Sequence, residues 1–149
     1  MLKQITVFLK NKTVRMEKVM GCLADNNVNI HALTIADATD FCILRMIASA
    51  PEAAVRVLKQ NNFMVKTADV IAVAMGHRPG SLHKILQRLR ALDISIEYMY
   101  AFTSRHKEYD AIVIFSVGNQ AASLQQLRDS GFSILGEDFL EELNRTQGN

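Results

Sequence analysis

The segment Val70–Leu82 reads VIAVAMGHRPGSL. Six apolar residues, Val70 to Met75, stop at Gly76. A polar turn, His77-Arg78-Pro79-Gly80, follows, and helical periodicity begins at Leu82. The pattern predicts a strand, a tight turn and a helix N-terminus. Proline suits the first turn of a helix, where its missing N–H would have no intrahelical partner. Glycine at position 80 leaves the backbone open to close approach. The free N–H groups of a helix start favour a carboxylate or a phosphate. In an arbitrary protein, a plain tight turn is the better reading of Pro79-Gly80.

Working outward, the same layout occurs earlier in the chain. Ile5, Val7 and Leu9 alternate with Thr6 and Phe8 as a first strand, and Asn11-Lys12-Thr13-Val14-Arg15 turns the chain. Met16, Val19, Met20 and Leu23 then form one helical stripe. Asp25-Asn26-Asn27 closes that helix with turn formers. Val28–Ile35 and Phe41–Ala48 read as a hairpin of two strands. Ser49-Ala50-Pro51-Glu52 has the S-x-x-E capping pattern and an early proline, which predicts a second helix with Ala54, Val57 and Leu58 on its apolar face. Phe63-Met64-Val65 is a fourth strand, giving the order βαββαβ.

Setting Ile71 on Ile5 pairs Val73 with Val7, Leu82 with Met16, Ile85 with Val19, Leu86 with Met20 and Leu89 with Leu23. Ile94 and Ile96 fall on Val28 and Ile30. Beyond the hairpin the register moves by three residues, because Thr103–Glu108 is a longer loop than Ala36–Asp40. Ile112, Leu127, Phe132 and Ile134 then meet Ile43, Leu58, Phe63 and Val65. A tandem repeat accounts for these matches. The expected fold is α+β: two ferredoxin-like βαββαβ units, each an antiparallel four-stranded sheet with two helices on one face, packed together. Unit 1 is expected over residues 1–67, and unit 2 over 68–149 with a short helical extension at Phe139, Leu140 and Leu143.

Composition bounds the function. The 149 residues are 49% hydrophobic and 21% charged, with a net charge of +2. That describes a globular chain able to bury a core, with too little charge to argue for nucleic acid or an anionic membrane. No apolar run approaches a membrane span. The N-terminus mixes Lys and Gln into its apolar residues and reads as a strand, not a signal peptide. Cys22 and Cys42 lack metal spacing and read as buried small hydrophobes in a reducing cytoplasm. A cytoplasmic location is therefore expected, with no cofactor and no metal.

The chain resembles tandem ACT-domain proteins, regulatory βαββαβ modules that typically bind amino acids. Gly76–Leu82 is similar to the family's strand–turn–helix motif, and Val28-Asn29-Ile30 to its second-strand start. Ala32–Asp37 with Asp40–Arg45 resembles the small free-standing ACT pairs of bacteria. The family's turn usually carries Pro-Gly, where unit 1 has Thr13-Val14. Its polar residue before the proline is Asn11 in unit 1 and His77 in unit 2, and its second-strand Asn is Asn29 in unit 1 but Ser95 in unit 2.

The resemblance implies a ligand at the interface between units, held by one unit's turn and the other's second strand. One site joins Arg78, Pro79, Gly80, Ser81 and Leu82 with Asn29 and His31. The other joins Asn11, Lys12, Thr13, Val14, Arg15 and Met16 with Ser95 and Glu97. The turn amides would take the carboxylate, and oxygen acceptors such as Asn29 would take the ammonium. Leu33, Ile35 and Met99 on one strand face suggest a hydrophobic or aromatic amino acid. Simpler roles compete at each position. His31 suits an interface, Asp37 and Asp40 suit Asx turns, Arg15 and Arg78 suit solvated surface, and Tyr98, Tyr100 and Phe102 suit the core.

The expected function is that of a non-enzymatic amino-acid sensor. Expected partners are the amino acid, a second copy in a homodimer, and an enzyme that it regulates; nucleic acid and membrane are not expected. The alternative is a protein-interaction module with a vestigial ligand site. An acylphosphatase-like enzyme would use Arg15 as an anion ligand but lacks the Gly-rich turn, and no nucleophile or metal set is placed. Paired RNA-binding units would need exposed aromatics in a Lys/Arg-Gly-Phe pattern on the central strands, where Phe41–Met46 and Ala111–Ile114 offer aliphatics instead.

Overall fold

The computed structural model describes residues 1–10, 12–38, 40–104 and 109–147. The chain divides into two compact units, 3–68 and 69–149, the latter joined by Met1–Leu2. The first unit contains β1 (Leu2–Leu9), α1 (Lys12–Asp25), β2 (Ile30–Asp37), β3 (Cys42–Ala48) and α2 (Pro51–Gln60). Strand β4 (Met64–Met75) crosses the division as one element. The second unit continues with α3 (Ser81–Ala91), β5 (Ile96–Thr103), β6 (Ala111–Val117), α4 (Gln120–Asp129), β7 (Ile134–Leu135) and α5 (Glu137–Gln147). No helix among the described residues is long and apolar enough to cross a membrane.

Strand order is β2-β3-β1-β4 in the first unit and β5-β6-β4-β7 in the second, with antiparallel pairing in the ladders β1–β3, β2–β3, β4–β6, β4–β7 and β5–β6. The repeat is visible residue by residue. Val7 pairs with Leu44, and its counterpart Val73 pairs with Val113. Side chains alternate across a strand, so Ile5, Val7 and Leu9 reach one face, where Val19, Leu23, Ala54 and Leu58 of the two helices meet them. In the second unit Ile71 and Val73 meet Ile85, Leu89 and Leu127 in the same way. Most of the matched sequence positions thus hold matched places in two cores. Cys42 is buried in the first core, and Cys22 packs against it.

Ile43 and Ile112, although matched, belong to neither of these cores. Their strands turn them to the sheet face away from the helices, where Ile112 is fully buried. All seven residues of β6 are buried, which explains why it reads as a near-continuous apolar run.

Helices α1 to α4 stop by one device. Asn27, Asn62, Asp93 and Gly131 all have positive φ. After each, the next N–H reaches back to a carbonyl five residues earlier: Val28 to Leu23, Phe63 to Leu58, Ile94 to Leu89 and Phe132 to Leu127. These are left-handed caps that satisfy the helices' last carbonyls.

Three local expectations are corrected. α1 begins at Lys12, so Thr13, Val14 and Arg15 lie inside its first turn and not in a loop. None of the three breaks a helix. The S-x-x-E pattern at Ser49 forms no capping box: the N-cap is Ala50, without a side-chain hydrogen bond. Ser49 Oγ accepts instead from the Asn29 amide at 2.9 Å. Tyr98, Tyr100 and Phe102 are outside the helical core. They pair with Ser116, Ile114 and Ile112, which places them half-buried on the opposite sheet face.

Candidate functional site

The turn between β4 and α3 is built around two glycines and an arginine. Gly80 is the α3 N-cap at φ 86°, ψ −12°, a left-handed conformation that costs a residue with a Cβ. A Cβ added there would meet nothing within 4 Å, so conformation and not crowding selects glycine. At Gly76 a Cβ would sit 3.4 Å from Arg78 Nε and 3.7 Å from Ser81 Oγ. The guanidinium and the hydroxyl therefore lie on one side of the turn. The Ser81 amide donates to the Arg78 carbonyl at 3.2 Å, and the Lys84 amide to Gly80 at 3.1 Å. Leu82 and His83 carry the remaining first-turn N–H groups, which have no acceptor within a helix. His77, Arg78, Pro79 and Gly80 are exposed, while Leu82 packs against the second core. Arg88 Nε donates to Ser130 Oγ at 2.9 Å and so ties α3 to the end of α4.

The corresponding start of α1 differs. Asn11 lies outside the described residues, and Lys12 is the first helical residue. Thr13 and Val14 are exposed. The Arg15 guanidinium stacks over Phe63, 4.6 Å from the ring centroid, and Met16 packs against the first core. Two of the residues expected at this site thus make contacts inside their own unit.

The second-strand starts share a feature that sequence periodicity could not reveal. Ladder β2–β3 shifts register between Ile30 and Ala32, and β5–β6 shifts between Ile96 and Tyr98. His31 and Glu97 are the extra residues of two equivalent β-bulges, a device that re-aims side chains and often adjoins functional sites. Ser116 Oγ donates to Glu97 Oε2 at 2.8 Å. Asn29 precedes the first bulge, and its backbone is clamped: its amide donates to Ser49 Oγ, and its carbonyl accepts from the Ser49 amide, both at 2.9 Å. Ser95 is exposed just before the second bulge.

Turn and bulge do not meet within a unit. Leu9 and Asp37 both pair with Cys42, so the first turn is at the Asp37 end of β2, while Ile30 pairs with Ala48 at the other end. Met75 and Thr103 likewise share Ala111, while Ile96 pairs with Val117. An eight-residue strand spans roughly 23 Å at the usual rise. A free amino acid cannot bridge that length, so the turn and the bulge of one unit do not share a site. Leu33 and Met99 are equivalent in the repeat. Each pairs with a core residue, Met46 or Phe115, yet is 48% or 42% exposed on an outer strand. Ile35 packs against the first core. The described residues hold no cluster of three or more His, Cys, Asp or Glu suited to a metal ion.

A family model described as an ACT domain pair matches residues 1–143. The chain belongs to the ACT domain pair family. ACT modules are regulatory and not catalytic, and they form an amino-acid-binding family. A solved protein from Bacteroides thetaiotaomicron is 37% identical to this ACT pair, with a TM-score of 0.84 over 93% of this chain and 94% of its own. The ligand-free regulatory subunit of aspartate kinase from Thermus thermophilus is 15% identical, with a TM-score of 0.58 over 85% and 91% of the two chains. Its counterpart from Thermus flavus is 14% identical, with a TM-score of 0.56 over 83% and 86%. At these identities the two aspartate kinase subunits show likeness of fold. A search of curated proteins finds no sequence match.

Proposed function

We propose that this ACT pair is a non-enzymatic sensor of a free amino acid. The observation that carries the reading is the Gly76–Leu82 turn, a glycine-capped helix start with Arg78 and Ser81 on one side. Helix amides and the guanidinium suit a carboxylate. The ammonium would be met by oxygen acceptors at a bulged second strand of another ACT unit, of the kind Asn29 offers beside His31. The α1 start would take the same part opposite Ser95 and Glu97, with Asn11, Lys12, Thr13 and Val14 at its mouth. Exposed Leu33 and Met99 support a hydrophobic or aromatic ligand. Ligand would favour whichever packing of units completes the site, and that population shift would be passed to a second copy in a homodimer or to a regulated enzyme. The setting would be the cytoplasm. An interaction module with a vestigial site is the second reading; the helical Thr13-Val14, in place of the family's Pro-Gly, favours it for the first turn.

A thermal-shift screen of the proteinogenic amino acids, with calorimetry on hits, tests this. A ligand at a hundred times its dissociation constant adds about 2.7 kcal/mol of stability. One selective hit, weakened in Arg78→Ala and Asn29→Ala when each variant is compared with its own unliganded Tm, is the expected result. No hit at millimolar ligand would leave the interaction module as the better account.

A further inference from the structure

The two bulges match in place but not in chemistry. Ile30 pairs with Ala48 and Ala32 with Ile47; in the second unit Ile96 pairs with Val117 and Tyr98 with Ser116. His31 therefore corresponds to Glu97, and the fully buried Ile47 to Ser116. The two residues that differ are in contact, since Ser116 Oγ donates to Glu97 Oε2 at 2.8 Å. Ser116 is the one polar residue of β6 and is 5% exposed. Burying a hydroxyl is costly unless it is hydrogen-bonded. The isoleucine at the same register in the first unit shows that the fold itself does not need a hydroxyl there.

What the hydroxyl does is hold a carboxylate, through the stronger, charge-assisted kind of hydrogen bond. Glu97 is exposed, and among the described residues Ser116 is its one hydrogen-bond partner and no cation pairs with it. The carboxylate is thus oriented without being neutralised, which leaves Oε1 to meet a cation from solution. Ser95, exposed two residues earlier, adds a neutral oxygen. We propose that Glu97, positioned by Ser116, is the ammonium acceptor of the second unit's bulge and selects ligands with a free α-amino group. The inference rests on the sensor reading and adds to it the residue that reads the cation. The first bulge has no equivalent anion: His31 and Ile47 stand at the matched positions, and Asn29 offers a neutral oxygen. The two bulges therefore differ in how strongly they demand a positive charge.

Calorimetry on the intact protein tests this with the proteinogenic amino acids and the 2-hydroxy acids of the same side chains. A hydroxy acid keeps the carboxylate and the side chain but replaces the ammonium with a neutral hydroxyl. The amino acid that binds is expected to bind at least about tenfold more tightly than its hydroxy acid. Glu97→Gln keeps an oxygen for Ser116 and removes the charge, so the ratio of the two Kd values should fall towards one. Ser116→Ala keeps the charge but releases the side chain, and should lower the ratio by a smaller factor. A general loss of structure would weaken both ligands and leave the ratio unmoved. An unchanged ratio in Glu97→Gln, or equal binding of the two ligands by the unaltered protein, would overturn the assignment while the sensor reading stands. Failure of every free amino acid to bind would remove the sensor reading and this subsite together.

Discussion

Gly80 concentrates the requirements of the second unit's turn in one residue. It caps α3 at φ 86° with open space where a Cβ would stand. The positive φ is its constraint, so Gly80→Ala should lower stability by about 1–2 kcal/mol, and Gly80→Asn by less, because Asn tolerates the left-handed region. Chemical denaturation of the two variants checks this; equal losses would mean that the cap is not held at positive φ. The same turn distinguishes the two arginines. Arg78 stays exposed beside Gly76 and Ser81, where a carboxylate could reach it, while Arg15 is engaged with Phe63. Matching by sequence placed both at turn positions. The ring that occupies Arg15 comes from 48 residues away, beyond the reach of any local pattern.

At the scale of elements, the repeat extends to the way helices end. Asn27 and Asp93 are equivalent, as are Asn62 and Gly131, and each takes the left-handed cap position. Three of the four are not glycine. Asn62→Gly removes the strain of a Cβ at positive φ and should stabilise the protein by a few tenths to 1 kcal/mol, while Gly131→Ala should cost about 1 kcal/mol. Opposite signs in the two thermal melts are expected; losses of similar size in both would place other constraints at these turns. The two stops of the first unit were legible beforehand, since Asn pairs after an apolar stripe read as stops. The bulges at His31 and Glu97 were not. A bulge adds one residue to one strand of a pair, and only the partner strand reveals the mismatch. Ser49 shows the converse. Its spacing to Glu52 matches a cap, but the nearby Asn29 amide takes the hydroxyl.

For the whole molecule, the separation of turn from bulge within each unit is the decisive geometry. If the sensor reading holds, ligand should slow amide exchange in two stretches together, 76–83 and 29–33, although they belong to different units. Hydrogen-exchange mass spectrometry with a calorimetric hit tests this. Protection confined to one stretch would reduce the site to a single half and remove the need for a second unit.

The sequence by itself determined the α+β class, the βαββαβ order, its repetition and the apolar stripes by which α1 and α3 enter their cores. Those follow from periodicities of two and 3.6 and from turn chemistry, which act between near neighbours. Tertiary structure alone decided which sheet face Tyr98, Tyr100 and Phe102 take, that β4 continues unbroken from Met64 to Met75, and that Arg15 rests on Phe63. It also decided that turn and bulge lie at opposite ends of each sheet. These features depend on strand register and on contacts between distant segments, and no spacing along the chain encodes them.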